Sequence, residues 1–113
     1  MKILVALNNS YVKNELEKIY GNEVYTYDIT EKEAVIEFLA NNLEAYTIIT
    51  KDNLDGKINK EMYIKQMKLA NSNIKIIYIV EKLDEKYKQF LFANEVFNII
   101  EGNIVSTEKI CNL

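Results

Sequence analysis

The chain has 113 residues, of which 49 % are hydrophobic and 27 % charged, a composition typical of one folded domain rather than a disordered chain. Its basic residues are all lysines and its net charge is −3, so it lacks the concentrated cationic surface and the arginine forks on which direct nucleic-acid binding depends. It has no histidine and a single cysteine, Cys111, which excludes histidine-dependent catalysis, histidine-ligated zinc and an internal disulfide.

The first half of the chain alternates between strand-like and helix-like hydrophobic patterns. The apolar run over residues 2–7 predicts a strand that is covered on both faces. Residues 10–20 show a helical period that ends at Gly21, a residue type favoured just after helices. A second strand is predicted over residues 23–28, and Thr30 with Glu33 forms a capping-box pattern that predicts the start of a second helix.

The second half of the chain continues this alternation. Three more apolar runs predict strands, over residues 46–50, 74–80 and 96–100. A polar turn over residues 51–57 leads to a helix capped by Asn59, a further helix is predicted over residues 83–94, and Ser106 is the predicted cap of a last helix. The helix positions expected to face the core include Ile19, Leu43, Met62 and Leu69.

The element order, a strand followed by a helix five times, predicts an α/β domain. Strands separated by helices of this length run parallel with right-handed crossovers, so we expect a three-layer, doubly wound five-stranded sheet of flavodoxin-like order 2-1-3-4-5. The domain is expected to fill residues 1–113 and to be the N-terminal part of a longer protein, because the last helix has no end signal.

A membrane location is not expected from the hydrophobic pattern. No run approaches the roughly 18–20 apolar residues of a membrane span. The apolar run at the N-terminus is also too short for a signal peptide. We therefore expect no membrane insertion and a cytoplasmic location, which suits a chain with one unpaired cysteine.

The strand ends are where a domain of this class binds ligands. Asn8, Asn9 and Ser10 follow the first strand without a glycine, so the phosphate-cradling loop of dinucleotide-, flavin- and ATP-binding proteins is missing. Ser10 is instead the predicted N-cap of the first helix. Lys51 and Asp52 follow the third strand.

Few metal ligands are available at these strand ends. Asn8 and Asp52, with Asp55 or Glu101, are the candidates for Mg²⁺. Lys51 lies among them and already supplies positive charge, so the sequence favours an ion pair of Lys51 with Asp52 and Glu101 over a metal site. No nucleophile or oxyanion donor accompanies the carboxylates, and we expect no metal, no cofactor and no catalytic residue.

The layout resembles the receiver domains of two-component response regulators over essentially the whole chain. Receivers carry an acidic pair at the end of the first strand, where this chain has Leu7 and Asn8, or Asn8 and Asn9 in the alternative register. The family's phospho-accepting aspartate matches Lys51, while Asp52 comes one residue later and is expected on the opposite face of the strand. The family's hydroxyl residue after strand four, its lysine after strand five and its aromatic switch match Val80, Glu101 and Asn98.

The resemblance implies a degenerate pseudo-receiver that is not an enzyme, because the Mg²⁺ ligands and the phosphoryl acceptor are replaced. Residues 96–103 are also similar in style to the atypical receiver-like N-terminal domains of ParA/MinD-type ATPases that position pilus machinery. The implied role is an interaction, localisation or dimerisation module that pairs with a protein partner or itself and regulates an attached or partner ATPase. Receivers commonly interact through helix four, strand five and helix five, where this chain has Lys82, Glu85, Lys86, Gln89, Glu95, Asn98 and Glu108.

Two other interpretations stay open at this stage. A working phospho-receiver would use Asp52 or Asp55 as its acceptor. A small-molecule-binding or phosphotransfer domain of the same topology is less favoured, because sugar-transport phosphocarrier domains need a cysteine or histidine in the first loop and residues 8–11 supply neither.

Overall fold

The alternating apolar runs form one parallel sheet with helices on both faces. In a computed structural model that describes residues 2–25, 29–102 and 110–111, five strands pair in the order β2-β1-β3-β4-β5. This confirms the predicted doubly wound α/β class and the flavodoxin-like order. The strands are β1 (Lys2–Ala6), β2 (Val24–Tyr25), β3 (Tyr46–Lys51), β4 (Ile74–Val80) and β5 (Asn98–Glu101). The helices are α1 (Ser10–Tyr20), α2 (Lys32–Asn41), α3 (Lys60–Ala70) and α4 (Glu85–Ala93).

Two hydrophobic clusters, one on each face of the sheet, form the core. The central strands pair in parallel, with Leu4 beside Ile48 and Ile48 beside Ile76. These side chains pack against α2, α3 and α4, and the fully buried Leu39 of α2 belongs to the same cluster. Leu16 of α1 belongs to the cluster on the other face. Because side chains alternate between the faces of a strand, the two helical layers cover a sheet whose central strands are mainly apolar on both faces.

Side-chain caps fix where three of the helices begin. Asn9, Asn59 and Asp84 each accept a hydrogen bond from the backbone N–H three residues later, at 3.2, 2.8 and 2.7 Å. The prediction that Ser10 caps α1 is wrong, because the amide oxygen of Asn9 bonds the N–H of Val12 and Ser10 is the first helical residue.

The start of α2 also differs from the prediction. The helix begins at Lys32 without a side-chain cap, so the predicted capping box of Thr30 and Glu33 is wrong. The Glu33 carboxylate accepts hydrogen bonds from the backbone N–H groups of Ile58 and Lys57, at 3.0 and 2.9 Å. These bonds lower the pKa of Glu33, and they tie α2 to the loop between β3 and α3.

The same loop is held to α2 by the buried Lys32. Its Nζ donates a hydrogen bond of 2.6 Å to the carbonyl of Leu54, and its backbone N–H donates one of 2.8 Å to the carbonyl of Asp55. Gly56 has a φ of +138°, and a Cβ at this position would lie 2.5 Å from Oε1 of Glu33. The loop therefore has a fixed position beside the carboxyl ends of the strands.

Several side chains predicted to face the core are exposed. Leu43 is 65 % exposed because α2 ends before it, at Asn41. α3 buries Tyr63, Ile64 and Met67, which turns its other apolar residues outward. Met62 and Leu69 of α3 are therefore 40 and 80 % exposed. Ile19, on α1, is 56 % exposed.

Some predicted elements are only partly covered by the described residues. The second strand is described over Val24–Tyr25, and its predicted continuation through residues 26–28 lies outside the described part. Ser106 and Glu108 lie outside it as well, although Ile110 and Cys111 are helical. The fifth strand begins at Asn98, two residues later than predicted. In the described ranges, no helix has the length and apolar content needed to cross a membrane.

Candidate functional site

A cavity of about 330 Å³ opens at the carboxyl ends of β1, β3 and β4, where an open parallel sheet is expected to hold its ligand. β3 and β4 end next to each other at this cavity, since Lys51 at the end of β3 pairs with Ile79 of β4. The loops after β1, β3 and β4 complete the wall. The lining residues are Leu7, Asn9, Lys51, Asp52, Asn53, Ile79, Glu81 and Gly102.

Lys51 is the one cationic side chain among the residues that line this cavity. The predicted ion pair of Lys51 with Asp52 and Glu101 is wrong for the described part of the chain, where the ion pairs lie elsewhere. Glu101 instead accepts a hydrogen bond of 2.6 Å from the backbone N–H of Leu83. The carboxylate that was expected to neutralise Lys51 therefore anchors the segment that leads into α4.

Asp52 is a buried acid at the base of the cavity. It is only 9 % exposed, and its Oδ2 accepts a hydrogen bond of 3.2 Å from the Tyr87 hydroxyl of α4. Its Oδ1 is buried without a hydrogen-bond partner. Burial raises the pKa of Asp52, while the backbone amide of Glu81, the Tyr87 hydroxyl and the charge of Lys60 oppose that rise.

Buried hydroxyl groups lie on the face of the sheet that α3 and α4 cover, where Tyr87 donates to Asp52. The hydroxyl of Tyr63 lies 2.9 Å from Oγ1 of Thr50, which donates to the carbonyl of Ala6 at 2.9 Å. Burial raises the pKa of Tyr78 and Tyr87 well above the usual range of a phenol. These phenols therefore stay neutral, and they can donate hydrogen bonds at every physiological pH.

No protein-family model matches the sequence, and no curated protein matches it either. The isolated REC domain of RcsB from Salmonella enterica serovar Typhimurium gives a TM-score of 0.75 over 98 % of this chain and 83 % of that chain, at 15 % identity. The chemotaxis protein CheY4 of Vibrio cholerae gives 0.68 over 98 % of this chain and 92 % of that chain, at 16 % identity.

The chain has the receiver-domain fold.

A third neighbour extends this likeness. A response regulator from Burkholderia pseudomallei, solved with a phosphorylated aspartic acid, a calcium ion and citrate, gives a TM-score of 0.74 at 15 % identity. The match covers 97 % of this chain and 64 % of that protein, so the chain spans less than two thirds of its length. Because the sequence identities are low, the likeness to these proteins shows the fold of the chain alone.

Within the receiver fold, the predicted pocket residues divide into two groups. Asn9, Lys51 and Asp52 line the cavity together. Asn8 is exposed with a φ of 48°, and Val80 is fully buried in the core below the cavity. The cavity therefore brings together fewer of the predicted residues than the strand ends alone suggested.

The cavity also contains residues that the sequence analysis did not single out. The Asn53 side-chain amide donates a hydrogen bond to the Glu81 carboxylate, which joins the loops after β3 and β4. Outside the residues that line the cavity, Tyr87 of α4 donates to Asp52, and this bond joins two residues 35 positions apart. No local pattern in the sequence signals such a contact. Within the described ranges, no group of three or more acidic or cysteine side chains is arranged to hold a metal ion.

The residues of the predicted interaction face lie around α4 and β5. Lys82, Glu85, Lys86, Gln89 and Glu95 are exposed or half-exposed on this side, and Asn98 is half-buried. Two aromatic residues that the prediction omitted lie beside them. Phe92 and Phe97 are 44 and 62 % exposed, and their ring centroids are 5.8 Å apart.

Proposed function

We propose that this chain is a non-catalytic pseudo-receiver that serves in the cytoplasm as a protein-interaction, localisation or dimerisation module and regulates an attached or partner ATPase. The observation that carries the proposal is Lys51 at the end of β3, in the lining of the cavity. The receiver resemblance assigns that position to a phospho-accepting aspartate. A lysine side chain has no carboxylate oxygen that could accept a phosphoryl group. Its positive charge would also repel a divalent cation.

The remainder of the cavity supports the same proposal. Leu7, Asn8 and Asn9 stand at the end of β1, where Leu7 with Asn8, or Asn8 with Asn9, matches the acidic pair of a receiver. Leu7 is buried, and Asn9 already uses its side-chain oxygen on the N–H of Val12. None of the three residues offers a carboxylate ligand for Mg²⁺.

A working phospho-receiver is the second candidate, and the unpartnered Oδ1 of Asp52 is the observation that favours it. A buried oxygen beside a cavity has the position of a nucleophile. However, burial disfavours the charged carboxylate by raising the pKa of Asp52, and the Tyr87 hydroxyl already donates to its other oxygen. Asp55 is exposed in the loop, where its backbone carbonyl binds Lys32.

The outer surface of α4 and β5 supports an interaction role. Phe92 and Phe97 form an exposed aromatic pair, and Nζ of Lys88 lies 5.6 Å from the centre of the Phe92 ring. Aromatic side chains are enriched at the centres of protein interfaces, where their burial contributes most of the binding energy. Exposed charges of both signs around this pair suit a specific, salt-sensitive contact.

Sedimentation velocity at low and high salt tests self-pairing through this face. We expect concentration-dependent association of the natural chain that Phe97→Ser weakens at least tenfold, since burial of an aromatic anchor contributes on the order of 2 kcal/mol. The matched control is Tyr11→Ser on α1, which removes an aromatic side chain that is 71 % exposed. A monomer at both salt concentrations, or equal weakening by the two variants, would reject pairing through this face.

A further inference from the structure

α3 and α4 carry more lysines than acidic residues, although the protein as a whole is acidic. Together they carry five lysines and two glutamates, whereas the whole chain has a net charge of −3. The ion pairs of the described residues use lysines of β1 and α1, and none of them involves α3 or α4. One of the five, Lys60, has its Nζ 4.0 Å from the centre of the Tyr87 ring. The other four lysines lack a carboxylate partner within the described part of the chain.

A cavity of about 240 Å³ lies between the first turns of these two helices. Phe90 and Tyr87 of α4 supply its aromatic wall, and Lys86 lies at its edge. Nζ of Lys65 lies 5.8 Å from the centre of the Phe90 ring, so a long side chain of α3 reaches across to α4. The space between the helices is therefore a groove with an aromatic wall, and its edge carries Lys86 and Lys65 beside the acids Glu61 and Asp84.

Exposed apolar side chains continue this surface along α3. Met62, Lys65 and Leu69 follow one another at spacings of three and four residues, which places them on one face of the helix. Met62 and Leu69 are 40 and 80 % exposed. Apolar and cationic groups thus alternate along the same side of the groove.

We propose that this α3–α4 groove docks an acidic segment of a partner protein, with an apolar anchor side chain of that segment in the cavity against Phe90. The carboxylates of the segment pair with Lys65 and Lys86, which the chain's own acids leave unpaired in the part of the chain that the structure describes. The inference rests on the proposed role as an interaction module and adds the chemistry of the partner.

The acids at the cavity favour a discrete peptide segment over a continuous polyanion. Glu61 and Asp84 line the same cavity as Lys86. A nucleic acid or an anionic lipid surface would bring phosphates against these carboxylates, and such like-charge contacts are unfavourable. A peptide can instead place an apolar side chain there, with one carboxylate at the edge beside Lys86 and another further along α3 beside Lys65.

Fluorescence anisotropy with a labelled amphipathic peptide of glutamate and leucine tests the proposal. We expect saturable binding to the natural chain that Lys65→Gln with Lys86→Gln weakens about tenfold, as the loss of two exposed ion pairs allows. The matched control is Lys13→Gln with Lys18→Gln, which removes the same charge from α1 and should leave the affinity unchanged. Phe90→Leu, which shortens the aromatic wall, should weaken binding independently of charge.

Three results would overturn the proposal. These are absence of binding, equal weakening by the two lysine pairs, and tighter binding of heparin or of phosphatidylserine vesicles than of the peptide. Amide chemical shifts recorded during the titration distinguish a failure of the groove proposal from a failure of the proposed function. Shifts centred on Phe92 and Phe97 would keep the interaction role and reject the groove, whereas shifts along α3 and α4 support it.

Discussion

The Asp52 carboxyl group connects the cavity with α4. It lies at the carboxyl end of β3, and its one hydrogen-bonded oxygen accepts from Tyr87. Since Tyr87 is buried on the inner face of α4, the ionisation state of Asp52 bears on the helix whose outer surface we propose as an interface.

Replacing Asp52 by asparagine should stabilise the domain near neutral pH. The folded protein holds the Asp52 proton more tightly than the unfolded chain, because burial raises its pKa above the unfolded value of about 3.9. The free energy of unfolding therefore falls as pH rises through the raised pKa, and the full cost of the buried charge is present above it. Asparagine avoids that cost and can still accept the Tyr87 hydrogen bond, so thermal unfolding at about pH 7 should show a higher Tm for Asp52→Asn.

The difference in Tm between Asp52→Asn and the natural chain should depend on pH. The advantage of Asp52→Asn should shrink as the pH is lowered toward about 4 and below, where the natural residue becomes protonated in both states. Asp55→Asn, which changes an exposed acid of the same loop, is the control variant. A lower Tm for Asp52→Asn at neutral pH would instead mean that the negative charge is needed beside Lys60.

The residue pattern predicted which side chains end the strands but not what those side chains bind. Lys51 and Asp52 follow from the end of an apolar run, a local signal. The Glu101 bond to Leu83 and the Asp52 bond to Tyr87 join positions distant in sequence, so only the packed structure defines them. The predicted ion pair of Lys51 failed for this reason, since both expected carboxylates have other partners.

At the scale of elements, the apolar runs were the reliable signal. β4 has the predicted bounds, as does α1, because a long apolar run and a complete helical period leave little ambiguity. The rotation of α3 was less predictable. Its sequence offers apolar residues on more than one side, and packing against the sheet selected Tyr63 and Ile64 instead of Met62 and Leu69.

The loop between β3 and α3 gives a second prediction. Gly56→Ala should destabilise the domain by more than the roughly 1–3 kcal/mol of backbone strain expected for alanine at its φ of +138°, because the new Cβ would also meet Oε1 of Glu33 at 2.5 Å. Urea unfolding measures the change. Gly102→Ala is the matched control, because Gly102 has a similar φ of +135° and, among the described residues, no atom lies within 4 Å of the place its Cβ would take.

Equal losses of stability in the two glycine variants would contradict this account of the loop. That outcome would mean that Glu33 moves aside at no cost. The bonds from Glu33 to the Lys57 and Ile58 N–H groups would then not hold the loop in place.

At the scale of the whole molecule, charge and apolar exposure are distributed unevenly. The α3–α4 groove begins at the first turns of the two helices, where Tyr87 lines it and donates to Asp52 of the strand-end cavity. The aromatic pair of Phe92 and Phe97 lies at the other end of α4. The topology, which the sequence predicted correctly, brings both cavities to the carboxyl edge of the sheet, because each of these helices follows the end of a strand. The composition shows only an even mixture of charges. The fold decides which charged residues lie together, because residues distant in sequence meet only after folding.

The central claim is that this receiver fold works without phosphorylation. Intact mass spectrometry after incubation with acetyl phosphate and Mg²⁺ tests it most directly, with a working receiver domain treated alongside. We predict that the mass of this chain stays unchanged while the working receiver gains a phosphoryl group. A Mg²⁺-dependent gain of one phosphoryl group that disappears in Asp52→Asn or Asp55→Asn would contradict the claim.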